Sequence, residues 1–134
     1  MKINLEPKIC NLCGGKVEYT RLENVYGNKM QYFSNGKYCY HCKKCGAVVG
    51  THKKYPKIAL GILANREMAD ARQTCHKIFD EFWKTKEERT SLYQKLAAEM
   101  NIPFEECHFG WFTMEELEKS RKILLKWWRE KYDK

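Results

Sequence analysis

No apolar run in this 134-residue chain approaches the roughly 20 residues that a bilayer crossing needs; the longest, Ile58 to Ala64, is broken by Gly61. The N-terminus, Met1-Lys2-Ile3-Asn4-Leu5-Glu6-Pro7, lacks the apolar stretch of a secretory signal. The two absences exclude a membrane partner and lead to the expectation of a soluble, cytoplasmic protein. Disulfides of the exported kind go with them, so the seven cysteines point to metal or free thiols. Internal repeats and low-complexity segments are lacking as well. Apolar material is plentiful, with 43% hydrophobic and 13% aromatic residues, which allows a core and argues against wholesale disorder. The length fits one compact domain or two small lobes.

Acidic residues are scarce in the first half. Residues 1–64 hold three Asp/Glu against eleven Lys/Arg, whereas residues 65–134 hold fourteen of each. The net charge of +8 therefore belongs to the first half, where Lys43, Lys44, Lys53, Lys54 and Lys57 crowd around the second of two cysteine clusters. A basic lobe beside a neutral one is an electrostatic footprint for a polyanion. The plainer reading of the same lysines is a solubilising surface.

The first half reads as short strands and turns, with nothing of helical period. Val17, Tyr19 and Arg21 alternate with polar neighbours, Tyr26-Gly27-Asn28 is a turn, and Met30–Phe33 and Lys37–His41 flank the hairpin signal Ser34-Asn35-Gly36. The second half is helical. A first helix runs from about Arg66 to Lys84, capped by Asn65, with Met68, Ala71, Cys75, Ile78, Phe79, Phe82 and Trp83 on one face. A second spans about Glu87 to Met100 and ends at Asn101-Ile102-Pro103. The Thr113-Met114-Glu115-Glu116 capping box opens a third, to about Lys131, whose apolar face carries Met114, Leu117, Leu124, Leu125, Trp128 and Tyr132. Ile123 and Trp127 fall opposite that face, which implies a partner subunit in a homo-oligomer, or cover for the first lobe.

The strongest chemical signal is cysteine spacing. Cys10-Asn11-Leu12-Cys13-Gly14 and Cys42-Lys43-Lys44-Cys45-Gly46 are two Cys-x-x-Cys-Gly units, each able to form a tight turn with amides aimed at the thiolates. Brought together they offer four sulfurs at tetrahedral corners, a closed structural zinc site with no open position for catalysis. Twenty-eight residues separate Cys13 from Cys42, room enough for a hairpin. Cys39 also forms a Cys-x-x-Cys with Cys42, but it lacks the glycine, and strand alternation turns it off the site. His41 is the alternative ligand. Cys75 and Cys107 read as small buried thiols rather than a second metal site. Without metal the first half has a weak core, so its folding is expected to depend on zinc.

Helical-wheel placement puts Arg72, Arg89 and Arg121 on apolar stripes. A charge there needs a partner, and Asp80 and Glu118 are candidates. The sharper alternative is that arginines converge with His76, oriented by Asp80 four residues on, and with His108 to form an anion pocket. His52, just after the second cysteine turn, is either a surface residue or part of the same pocket. Phe109 and Trp111 in the loop Cys107 to Phe112 are loop anchors or base-stacking rings.

The two Cys-x-x-Cys-Gly units, the continuation Ala47-Val48-Val49-Gly50-Thr51-His52, and Leu60-Gly61-Ile62-Leu63-Ala64-Asn65 resemble the DUF3268 zinc-finger-containing domain, a family found largely in phages and prophages. The likeness continues through Arg72, His76, Phe79–Trp83, Arg89, Tyr93 and Cys107-His108-Phe109-Gly110, and so covers about Cys10 to Leu124. It implies Cys10, Cys13, Cys42 and Cys45 as ligands and a bacterial or phage setting, and it brings no activity. One departure is Ala59, where the family pattern carries proline before Leu60-Gly61.

These readings give an α+β chain, with a basic zinc-ribbon β lobe over residues 1–64 and a three-helix lobe over residues 65–134, together one unit. The expected function is non-catalytic binding of DNA or RNA, or of a host protein that handles nucleic acid. Lys43, Lys44, Lys53, Lys54 and Lys57 would supply the contacts, and Zn2+ is the structural cofactor. Two alternatives stand beside it. One is a phosphodiester- or nucleotide-processing enzyme using His76, His108, Arg72 and Arg89; the other is a phage inhibitor docking on a host protein through Trp127 and the aromatic loop.

Overall fold

Val17–Arg21 (β1) and Tyr38–Cys42 (β2) pair antiparallel from Val17↔Cys42 to Arg21↔Tyr38, and in β2 the successive residues Cys39 and Tyr40 are both buried, so that strand is covered on its two faces. The computed structural model describes residues 4–27 and 37–132. It divides the chain into two compact units, Met1–Arg66 and Glu67–Lys134. In the first, β3 (Val48–Gly50) adds to the far edge of β2, giving the sheet order β1-β2-β3. A bridge of Val48 with Ala64 and another of Thr51 with Ala59 fold the following segment back onto β3. Cys10, Val17, Tyr40, Cys42, Ala47, Val49, Ala59 and Leu63 form the small core, with Leu5, Cys13 and Leu60 packed against it.

Among its described residues the first half contains one helix that its sequence pattern did not announce. Leu22–Tyr26 is a short helix, α1, anchored by buried Leu22 and ended at Gly27 with φ 55°. Five residues are too few to display a helical period, which is why this element is invisible to pattern reading. The hairpin expected around Ser34-Asn35-Gly36, with the strand Met30–Phe33, lies outside the described residues.

Among its described residues the second unit holds three α-helices, α2 (Arg66–Asp80, its first residue belonging to the preceding unit), α3 (Lys86–Met100) and α4 (Met114–Tyr132). Helix α2 stops four residues before the expected Lys84 because the next helix's cap claims that backbone. The Glu88 carboxylate accepts from Lys84 N and Thr85 N, the Thr85 hydroxyl accepts from Glu88 N, and Trp83 Nε1 donates to Asp80 across the turn. The Thr113/Glu116 capping box opens α4 as its sequence indicates. Asn101, left-handed at φ 59°, closes α3. Phe79, Leu96, Phe109, Phe112, Leu117 and Leu124 are fully buried in this unit.

Two expectations about α4 are corrected. The buried stripe runs through Leu117, Ser120, Leu124 and Trp127, while Trp128 and Tyr132 are exposed. Ser120 disguises the stripe: a polar residue at a core position is satisfied by the Leu117 carbonyl at 2.9 Å and faces the Cys75 thiol at 3.5 Å. Trp127 is thus internal, with Nε1 donating to Glu99 at 2.6 Å, its ring edge-on to Phe82 and the Lys95 ammonium over it. It offers no docking surface. Arg121 is exposed, so it demands no buried counter-ion. No helix among the described residues is long and apolar enough to cross a membrane.

Candidate metal centre

Each cysteine pair occupies the turn of a hairpin, and the two turns repeat one hydrogen-bond pattern. In the first, Cys10 N donates to Gly15 O and Gly14 N to Cys10 O; in the second, Cys42 N donates to Ala47 O and Gly46 N to Cys42 O. Gly14 (φ 77°) and Gly46 (φ 85°) take the left-handed conformation that brings the chain back under the sulfurs. Leu12 N and Gly15 N point at Cys10 Sγ and Cys13 Sγ, both at 3.3 Å. Amides of Cys45 and Lys44 act likewise on Cys42 and hold its thiol below the ordinary range.

All four sulfurs lie within 4.8 Å of one another. Cys10–Cys45 is 3.7 Å and Cys13–Cys42 is 3.4 Å. A Zn–S bond of about 2.3 Å in a tetrahedron separates its sulfurs by about 3.8 Å. The separations are far beyond a disulfide and close to that edge length, and the donor set is thiolate with amide support. The residues fit a structural zinc ion, with Cys10 and Cys42 buried, Cys13 half-buried and Cys45 at the surface. Four protein ligands leave no position for substrate.

Two further residues set this geometry without being ligands. The Asn11 side chain mimics a strand, with Nδ2 donating to Leu63 O at 3.0 Å and Oδ1 accepting from Leu63 N at 2.9 Å. Val48 and Ala64 exchange backbone bonds beside it, so the segment through Leu63 and Ala64 ties down both cysteine turns. At Gly15 a Cβ would lie 2.9 Å from Lys44 Cβ and 3.1 Å from both Cys13 Sγ and Cys42 Sγ. Substitution Gly15→Ala is therefore expected to weaken zinc binding ten- to a hundredfold, the equivalent of about 1–3 kcal/mol of overpacking. Competition with a chromophoric chelator measures it; retained affinity would show that the two turns do not press on each other there.

The remaining sequence candidates fall elsewhere. His41 is not a ligand: its Nδ1 meets Glu18 Oε2 at 2.9 Å, across the strand pair. Cys39 is fully buried away from the cluster, where burial pushes its thiol up to about 11. Cys75 and Cys107 are buried too, and burial pushes Cys107 up to about 12, leaving it unreactive. His52 is exposed. His76 packs edge-on to Phe109, and its imidazole is held below its usual range by desolvation and by the charges of Arg89 and Arg72, against the pull of Asp80. Burial lowers Arg72 to about 10. The Arg89 guanidinium lies over two aromatic rings, 5.7 Å from the Trp83 centroid and 5.0 Å from that of Tyr93. His108 is exposed and paired with Trp111. A shallow cavity of about 210 Å³ in this unit is lined by Lys77, Ile78, Glu81, Leu125 and Trp128, none of them from the Arg/His set.

All five candidate lysines are exposed. Lys43 and Lys44 belong to the second cysteine turn, beside a centre that carries two net negative charges once zinc is bound. Lys53, Lys54 and Lys57 occupy the loop between Thr51 and Ala59, closed by His52 N to Ile58 O and Ile58 N to Tyr55 O. Two residues that sequence reasoning passed over hold this loop. Tyr19 and Tyr40, opposite each other on β1 and β2, donate their hydroxyls to Pro56 O at 2.7 Å and Lys57 O at 2.8 Å. Neither curated proteins nor solved structures give a match to the chain. The family model of the DUF3268 zinc-finger-containing domain matches residues 6–127, and with its four cysteines gathered as described the chain belongs to that family.

Proposed function

We propose that this zinc-binding protein is a non-catalytic nucleic-acid-binding module, with Lys53, Lys54 and Lys57 as its main phosphate contacts and Lys43 and Lys44 as auxiliary ones. One observation carries the reading: among the described residues of the first half every lysine is exposed, and they outnumber the acids that could offset them. Of its three acids, Glu18 is engaged by His41 and by Lys43 at 4.0 Å, and Glu23 by Arg21. The zinc centre offsets part of the charge of Lys43 and Lys44, but the loop lysines keep theirs. Chemistry follows from this placement: fixed ammonium groups attract a phosphate backbone and release its counterions. A phage or prophage gene product acting in the host cytoplasm belongs to the same reading.

Binding of a fluorescein-labelled oligonucleotide, followed by anisotropy from 20 to 200 mM salt, tests it. The affinity is expected to fall steeply with salt, and the double substitution Lys53→Gln, Lys54→Gln to lower the log–log slope by about 1.5. No binding to duplex DNA, single-stranded DNA or RNA at 20 mM salt would refute the proposal.

A further inference from the structure

We infer that Tyr55 is a base-stacking anchor, which makes the ligand of this module single-stranded nucleic acid. The inference rests on the proposed function and names its substrate class. Tyr55 is 58% exposed at the tip of the lysine loop, where its ring is open to a ligand. Lys53 and Lys54 precede it, Lys57 follows two residues later, and the Lys54 ammonium lies 5.8 Å from the ring centroid. Charge brackets the ring on both sides along the chain.

The loop is also braced for its size. The carbonyls of the two residues after Tyr55 receive the Tyr19 and Tyr40 hydroxyls, and the Tyr55 carbonyl itself accepts from Ile58 N at 2.9 Å. Those tyrosines stand on the sheet, and Tyr19 is further stacked on Tyr38 with centroids 5.3 Å apart and planes 8° from parallel. A loop backbone held by such a frame need not be ordered on binding, so less of the ring's contact energy is spent on fixing the loop. Duplex DNA hides its base faces in the stack and offers this ring nothing but backbone. An unpaired base offers a π-face of matching size while flanking phosphates meet the lysines.

The experiment uses the full zinc-loaded chain and four labelled probes: a twelve-nucleotide dT strand, the same length of rU, an abasic twelve-mer, and a twelve-base-pair duplex. The intact strands are expected to bind about tenfold more tightly than the abasic one, the dT and rU arms separating DNA from RNA. Tyr55→Ala is expected to erase that advantage and leave the abasic affinity unchanged, while Tyr55→Phe preserves it. Equal binding of intact and abasic strands, a preference for the duplex, or an equal loss on every probe with Tyr55→Ala would overturn the anchor while leaving the charge-based reading intact. Failure of all four probes to bind at 20 mM salt would instead bring down the proposed function beneath it.

Discussion

Removing zinc is expected to unfold the first unit while the helices of the second persist. Structural zinc contributes on the order of 10–16 kcal/mol of apparent binding energy, whereas a unit of this length has roughly 3–10 kcal/mol of total stability. Two of the eight core residues, Cys10 and Cys42, are themselves ligands, so losing the ion also leaves crowded thiolates inside a small apolar cluster. Cys42→Ser is expected to act like chelation, because β2 ends on that residue. Amide exchange reads the result by element: protection across Val17–Arg21 and Tyr38–Cys42 should vanish, and protection in α3 and α4 should remain. A metal-free chain that keeps its β1–β2 ladder would refute the dependence.

The second large effect is expected at Phe109. This ring is 1% exposed and meets His76, Phe79, Tyr93 and Phe112 at centroid distances of 4.8 to 6.1 Å, which joins α2 and α3 to the loop before α4. Phe109→Ala removes about 3–5 kcal/mol through lost burial and the cavity left behind. That is comparable to everything holding a unit of this size, so the helical signal should melt well below the wild-type temperature or be lost at 25 °C. Phe104→Ala, at a position 44% exposed, is the control and should change stability by no more than about 0.5 kcal/mol. If the two variants melt alike, the aromatic cluster is not the core of this unit.

What the sequence made legible was whatever is encoded locally. The cysteine turns could be read because Cys-x-x-Cys-Gly puts ligand spacing and the left-handed glycine within five residues. The start of α4 could be read because Thr113 and Glu116 are three apart. Contacts made across long separations were hidden. Asn11 clamps Leu63 from 52 residues away, and Tyr19 reaches Pro56 from 37; nothing in either residue's own neighbourhood signals the partner. Trp127 was misplaced for a different reason. A hydroxyl at Ser120 satisfies itself on its own helix, so a core position looked like solvent. The rings beneath Arg89 were hidden as well, because charge counting takes no account of aromatic faces.

The pairing of Val17 with Cys42 joins strand alignment to ion capture. Side chains alternate across a sheet, so a slip of one residue between β1 and β2 would disturb the alignment that brings the Cys42 sulfur to Cys13, and would part the Tyr19 and Tyr40 hydroxyls from their carbonyls. A misaligned ribbon would hold zinc poorly, and the correct one holds it with four thiolates. Ion binding and strand register are thereby expected to stand or fall together, and the bracing of the lysine-bearing loop with them.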